Sequence, residues 1–141
     1  MYESLSHSKL DCKYQVVFVP KCRRRVLYGK IREYLKKQFH ELARQRECQI
    51  ISGHLVQDHV HMPIANPPKQ SVAEVVGYLK GKSAIAVTRQ FGGKQRNFNG
   101  ERLWARGYAV STVGFNEVEI SGYIRYQEQL DTVGKGEDGN F

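Results

Sequence analysis

Residues 58–68, Asp-His-Val-His-Met-Pro-Ile-Ala-Asn-Pro-Pro, limit the fold more tightly than any other stretch of the chain. Side chains two apart on a β-strand share a face, so Val60, Met62 and Ile64 must turn to one side and His59 and His61 to the other. The Pro67-Pro68 pair ends the strand. The fold must therefore contain a sheet with one apolar face packed on other elements and one face that presents two imidazoles. Two imidazoles one residue apart, backed by a hydrophobic layer, are half of a metal site that can sit against a phosphate. Tyr123 and Gln127, four apart on one face of a predicted helix, are the candidate second half, a nucleophile beside a metal ligand.

The other elements follow from the same periodicities. Tyr14, Val16 and Phe18 alternate with Lys13, Gln15 and Val17 as a first strand ending at Pro20. From Ile31, the apolar positions Leu35, Phe39 and Leu42 recur at helical spacing, and this helix is expected to end near Glu47. Ile50 to Val56 reads as a second strand, joined by a Gln57-Asp58 turn to the histidine strand, His59 to Ala65. Ser71 with Glu74 forms a capping box for a helix whose buried stripe is Val72, Val75, Val76, Leu79 and Ile85, closed by Phe91-Gly92-Gly93. Leu103 to Val110 reads as the last strand, and Asn116 with Glu119 repeats the capping spacing before a helix carrying Ile120, Tyr123, Ile124 and Gln127. This order predicts an α+β, ferredoxin-like (RRM-like) fold: a four-stranded antiparallel sheet, two helices on one face, and a C-terminal tyrosine-bearing helix. The histidines then lie on the face those two helices leave bare, and the last helix has to reach around to it.

With 141 residues the chain can bury one core, which gives a single domain over 1–130 and a glycine-rich tail over 131–141 expected to be disordered. No apolar run is long enough for a membrane span and residues 1–10 lack the apolar block of a signal peptide, so a soluble cytoplasmic protein is expected. Cys12, Cys22 and Cys48 fit neither a disulfide framework nor a zinc ribbon and read as reduced thiols. The net charge of +8 is concentrated. Between Lys9 and Arg46 twelve basic residues face three acidic ones, and Lys80, Lys82, Arg89, Lys94, Arg96, Arg102 and Arg106 form a second basic stretch. Such concentration marks a polyanion-binding surface, nucleic acid above all. Gly81-Lys82-Ser83 resembles the end of a phosphate-binding P-loop, but Val76 stands where that loop needs glycine, which excludes a nucleotide cofactor there. His7, His40 and His54 have no partner at ligand spacing.

Five segments carry a resemblance: Cys12-Lys13-Tyr14-Gln15-Val16-Val17-Phe18-Val19-Pro20-Lys21; Gly53-His54-Leu55-Val56-Gln57-Asp58-His59-Val60-His61; Gly81-Lys82-Ser83-Ala84; Trp104-Ala105-Arg106-Gly107-Tyr108; and Tyr123-Ile124-Arg125-Tyr126-Gln127-Glu128. In this order they resemble the HUH single-tyrosine transposases of small bacterial insertion sequences, the IS200-like and REP-associated type. The resemblance implies a metal-dependent DNA transposase that cuts and rejoins single strands at element ends through a 5′-phosphotyrosine and recognises hairpins there. By motif it makes His59 and His61 metal ligands, Gln127 the third ligand and Tyr123 the nucleophile, in a homodimer whose two active sites are shared between subunits. Two imidazoles and an amide oxygen suit Mg²⁺ or Mn²⁺. Lys21, Arg23, Arg24, Arg25, Lys82 and Arg106 are the candidate DNA contacts. Two positions depart from the family pattern. Pro63 is expected to delete a ladder hydrogen bond from an interior strand, and Tyr126 replaces the asparagine usual before the glutamine. Two other functions fit the same fold: a non-catalytic RRM-like nucleic-acid-binding module, and a replication-initiator-like single-strand nickase.

Changing Arg23, Arg24 and Arg25 together to alanine is expected to weaken DNA binding. Each lost phosphate contact should lower the slope of log affinity against log salt by roughly 0.7 to 0.9. Binding isotherms at several salt concentrations measure this, and an unchanged slope would make the run solvated surface.

Overall fold

The computed structural model describes residues 12–21, 27, 29–56, 58–91 and 103–135. Arg23, Arg24 and Arg25, Cys22, the Lys94, Arg96 and Arg102 part of the second basic stretch, and the tail from 136 to 141 lie outside them. Among the described residues five strands are present: β1 (Cys12–Phe18), β2 (Gln49–Ile50), β3 (His54–Val56), β4 (His59–Asn66) and β5 (Ala109–Ser111). Three helices accompany them: α1 (Gly29–Gln45), α2 (Val72–Phe91) and α3 (Glu117–Lys135). The expected boundary at residue 130 therefore falls inside α3.

All pairings are antiparallel, and the sheet runs β2-β4-β1-β5 with β3 also on β4. This is the split βαβ order with its second strand in two pieces. The expected alternation holds on β4: Val60, Met62 and Ile64 are buried in the main core, while His59, His61 and Pro63 are only partly covered. On β1, Tyr14, Val16 and Phe18 join that core with Leu35, Phe39 and Leu42 of α1 and Val75, Val76, Leu79 and Val87 of α2. An edge-on aromatic cluster ties the layers together. Phe18 meets Trp104 at 4.8 Å between centroids and Phe39 at 6.0 Å, and the Trp104 indole N–H donates to Ser83 Oγ at 3.0 Å. Ile85 departs from its predicted place. It is exposed, and Ser83, Ala84 and Val87 take the inward positions of that half of α2.

Both capping boxes form. Ser71 and Glu74 exchange bonds of 2.9 and 3.0 Å, and Asn116 and Glu119 exchange bonds of 2.9 and 2.8 Å.

Two strands differ from the expectation, each for a local reason. The predicted strand 103–110 is interrupted: Trp104 makes a bridge to Pro20, Ala105 N–H donates to the Val19 carbonyl at 2.8 Å, and only Ala109–Ser111 is ladder. Gly107, at φ +78°, turns the chain between the two pieces, a conformation that favours glycine. The second strand is broken by a β-bulge. Ile50 pairs with Ile64 and His54 with His61, so three residues, 51–53, oppose two, and Ser52 takes φ +62°.

Pro63 sits opposite that bulge, which corrects its sequence reading. Ile51 N–H donates to the Pro63 carbonyl at 2.9 Å, so this carbonyl faces the bulged side. N–H and C=O of one strand residue point to the same neighbour, so the hydrogen that proline lacks would have pointed at the irregular backbone and not at β1. No regular ladder bond is lost. Pro63→Ala is therefore expected to leave stability unchanged or to lower it by about 0.4–1 kcal/mol through the freer unfolded chain. Urea unfolding measures the change, and a gain of stability would show that the proline interrupts a real ladder.

Candidate active site

The histidine row of β4 lies beside β1, with Phe115 of the segment ahead of α3 against His61. The register sets His61 beside Val17 on one side and His54 on the other, and puts His59 beside Val56. Val17 is fully buried and supplies an apolar floor. The His54 and His61 rings lie 6.0 Å apart, and the Phe115 ring meets His61 edge-on at 6.0 Å.

The two imidazoles sit in different surroundings. His61 is pulled below the usual histidine range, first by burial and then by the charges of His54 and His59, so its neutral ring is favoured. The His59 Nδ1 lies 3.0 Å from Asp58 Oδ1. A carboxylate only accepts, so Nδ1 carries the hydrogen and Nε2 is left as the lone pair, the carboxylate–histidine pattern found behind metal ligands. Among the described residues no group of three or more His, Cys, Asp or Glu could hold a metal. A third protein ligand must therefore be of another type.

Gln127 can supply it. Gln127 is buried, and its Nε2 donates to Tyr123 Oη at 3.2 Å, which leaves the carbonyl oxygen as the hard donor. Both residues ride on α3, which packs Ile120, Tyr123 and Ile124 against Val19 and Ala105 in a small cluster of its own. Val19 has the parity of Val17, so α3 lies on the sheet face opposite α1 and α2, where the histidines are. Burial pushes the Tyr123 phenol up to about 12, with the Gln127 hydrogen bond acting the other way. Two imidazoles and an amide oxygen thus fit a divalent cation of the Mg²⁺ or Mn²⁺ class.

The remaining candidates are spread out. Lys21 lies three residues past the end of β1, with its N–H donating to the Leu103 carbonyl at 2.9 Å. Lys82 is exposed on α2, its ammonium 5.8 Å from the Tyr78 ring centre. Arg106 lines a groove of about 590 Å³ with Lys80, Arg89, Ile85 and Trp104. Sequence reasoning missed two participants. Lys80 reaches from α2 to the carbonyls of Ala105 and Gly107, at 2.9 and 2.6 Å, and burial pulls it down to about 8. Gln15 meets His61 Nε2 at 2.5 Å. A polar residue on the same β1 face as Val17 was the available signal for Gln15; nothing at the spacing of Lys80 distinguishes it from helix surface.

The sequence profile of the family described as "Transposase IS200 like" matches residues 8–127. The chain belongs to the IS200-like transposases. It is 38% identical over 133 residues to the transposase for insertion sequence element IS200 of Salmonella typhimurium, covering 94% of this chain and 88% of that one. It is 29% identical over 120 residues to the ISDra2 transposase TnpA of Deinococcus radiodurans, covering 84% and 86% of the two chains. A crystal structure of a candidate transposase from Deinococcus radiodurans R1 superposes with a TM-score of 0.72 at 26% identity, over 83% of this chain and 91% of that one. The fold is also similar to a REP-associated tyrosine transposase bound to a REP hairpin, with a TM-score of 0.52 at 15% identity over 90% of this chain and 69% of the other. No described helix of this IS200-like chain is long and apolar enough to cross a membrane.

The phenol value gives a signed prediction. The folded state holds Tyr123 neutral, so its contribution to stability is full below pH about 10, where unfolded tyrosine titrates, and is lost as pH rises toward about 12. Tyr123→Phe is expected to flatten the fall of melting temperature across that window and to remove one late step from the ultraviolet titration of tyrosine. An unaltered alkaline profile would mean that the phenol is not buried.

Proposed function

We propose that this IS200-like transposase cuts and rejoins single-stranded DNA through Tyr123, with a divalent cation held by His59, His61 and Gln127. The Tyr123–Gln127 contact carries the reading. It pairs a nucleophilic oxygen with a metal-type ligand on one helix, docked on the histidine side of the sheet. Tyr123 Oη bonds to a DNA phosphorus, the bond from phosphorus to the 3′-oxygen breaks, and a 5′-phosphotyrosine and a 3′-hydroxyl remain. The phosphotyrosine keeps the energy of the phosphodiester, so the 3′-hydroxyl of another end can reverse the step without a nucleotide cofactor.

A phenol pushed up to about 12 is a poor nucleophile near neutral pH. The N–H that Gln127 donates favours charge on Oη, and leaving the packed cluster around Ile124 would rehydrate the ring and bring its pKa down. When bound, the cation supplies charge stabilisation at a non-bridging phosphate oxygen and at the leaving 3′-oxygen. Lys21, Lys82 and Arg106, with Arg23, Arg24 and Arg25, would hold the DNA backbone, and a protein of the same fold is bound to a REP hairpin. DNA hairpins at element ends are accordingly the proposed recognition element.

We assign the active form to a homodimer in which α3 of one subunit serves the histidines of the other. Gly107 and Gly114, at φ +78° and +100°, bound the segment ahead of α3, and the docking cluster is small enough for the helix to leave.

Incubating the protein with single-stranded element-end DNA and Mg²⁺ is expected to give a protein–DNA adduct on a denaturing gel. Tyr123→Phe should bind hairpin DNA normally and form none; an adduct from it would move the nucleophile, with the exposed Tyr126 the first suspect. His59→Ala and His61→Ala should each lose cleavage with hairpin affinity kept. Dimers mixing a Tyr123→Phe subunit with a His59→Ala/His61→Ala subunit should recover cleavage at one site, with the adduct on the subunit that lacks histidines. No recovery despite proven mixing would place tyrosine and histidines in the same subunit.

A further inference from the structure

Gln15 is the polar side chain that the chemistry above does not use, and it touches both moving parts of the site. The register places Gln15 between Pro63 of β4 and Ser111 of β5, on the face that carries His61. Its Oε1 lies 2.5 Å from His61 Nε2. Whichever way the amide is turned, that nitrogen is engaged: as a donor to the amide oxygen, or as an acceptor from the amide N–H. His59 is different, because Asp58 holds its Nδ1 and leaves Nε2 available. The two histidines are therefore not equally open to a shared cation.

The other end of the Gln15 amide rests on the turn that leads to α3. A Cβ at Gly114 would lie 3.2 Å from Gln15 Nε2 and 3.5 Å from its Cδ, so a side chain there would push the amide by a few tenths of an ångström, and Gly114 is at φ +100°. Ser111 Oγ accepts from the N–H groups of Val113 and Gly114, both at 3.1 Å, which draws the turn tight. Phe115, the next residue, sets its ring against His61. Residues 111–115 thus wrap the Gln15–His61 pair, and the chain then enters the Asn116 cap of α3.

We propose that Gln15 is a positioning residue whose amide caps His61 Nε2 in competition with a cation and, on releasing it, shifts the Gly114 turn from which the Tyr123 helix departs. This rests on the reading of His59 and His61 as metal ligands. It adds a coupling: cation entry at the histidines and the placement of α3 are linked through one amide.

The test titrates Mn²⁺ into the full-length protein without DNA, reading free Mn²⁺ by electron paramagnetic resonance. Gln15→Met keeps the length of the side chain but removes its hydrogen bond, and is expected to bind Mn²⁺ roughly twofold to tenfold more tightly than wild type, the range of one ordinary hydrogen bond. Gly114→Ala should change the affinity in the wild-type background and have no effect beside Gln15→Met. Thermal melts verify that each variant is folded, and the Gln15→Met result decides the cap even where Gly114→Ala fails to fold. Wild-type protein that binds no Mn²⁺ would overturn the metal reading and the cap with it. Wild-type binding that Gln15→Met leaves unchanged overturns the cap alone. Weaker binding by Gln15→Met also overturns it, by making Gln15 a ligand. Equal effects of Gly114→Ala in both backgrounds would overturn the coupling to the turn.

Discussion

The alternation of β4 is the constraint on which the rest depends. Its core face is Val60, Met62 and Ile64, each almost wholly buried. Burying such side chains contributes about 1.5–3 kcal/mol apiece, so a one-residue slip that turned all three outward would forfeit an amount comparable with the whole stability of a small domain. The histidines have no such anchor of their own. They face away from α1 and α2 because their neighbours cannot, and the core thereby aims the chemistry.

The bulge at residues 51–53 extends that logic to the adjacent strand. Ile50 and Leu55 both pack on the main core, yet they stand five apart, an odd spacing that a regular strand would send to opposite faces. One extra residue in the strand restores the parity of Leu55, and the same residue sets His54 beside His61. His54 then adds to burial, the larger cause, in lowering the His61 pKa. Packing of two aliphatic residues and the electrostatics of an imidazole are in this way fixed by one irregularity, and Pro63 is tolerated in a central strand because it faces that irregularity.

Where apolar periodicity or a capping pair was strong, the sequence was sufficient. The main helical stripes, the parity of His59 and His61, and the Ser71 and Asn116 caps all stand as read, with Tyr123 and Gln127 on one helix face and in contact. What escaped the reading depended on backbone geometry or on long-range contacts. Splitting of the last strand at Gly107 needs a positive φ that the letter G permits but does not demand. Lys80 looks like helix surface until the 103–107 segment folds over it, and Ile85, six residues after Leu79, falls on the opposite side of the helix from Val72, Val76, Leu79 and Ser83 and so is left out of the core. The odd spacing of Ile50 and Leu55 was visible, and taken with Pro63 it held the information for a bulge.

The position of Tyr123 poses the central energetic question of the site. A half-buried phenol pushed up to about 12 is held in its least reactive form, and among the described residues the apolar contacts of Ile120 and Ile124 with Val19 and Ala105 hold it there. A competing interaction that drew the helix away would rehydrate the phenol and return it toward the ordinary tyrosine range, in favour of the charged form. On the proposed reading, the docking that holds the phenol neutral is what its activation would have to undo. In that reading the helix would part from the sheet at the hydrophobic contact with Val19 and Ala105 and hinge where Gly107 and Gly114 adopt backbone conformations that other residues resist.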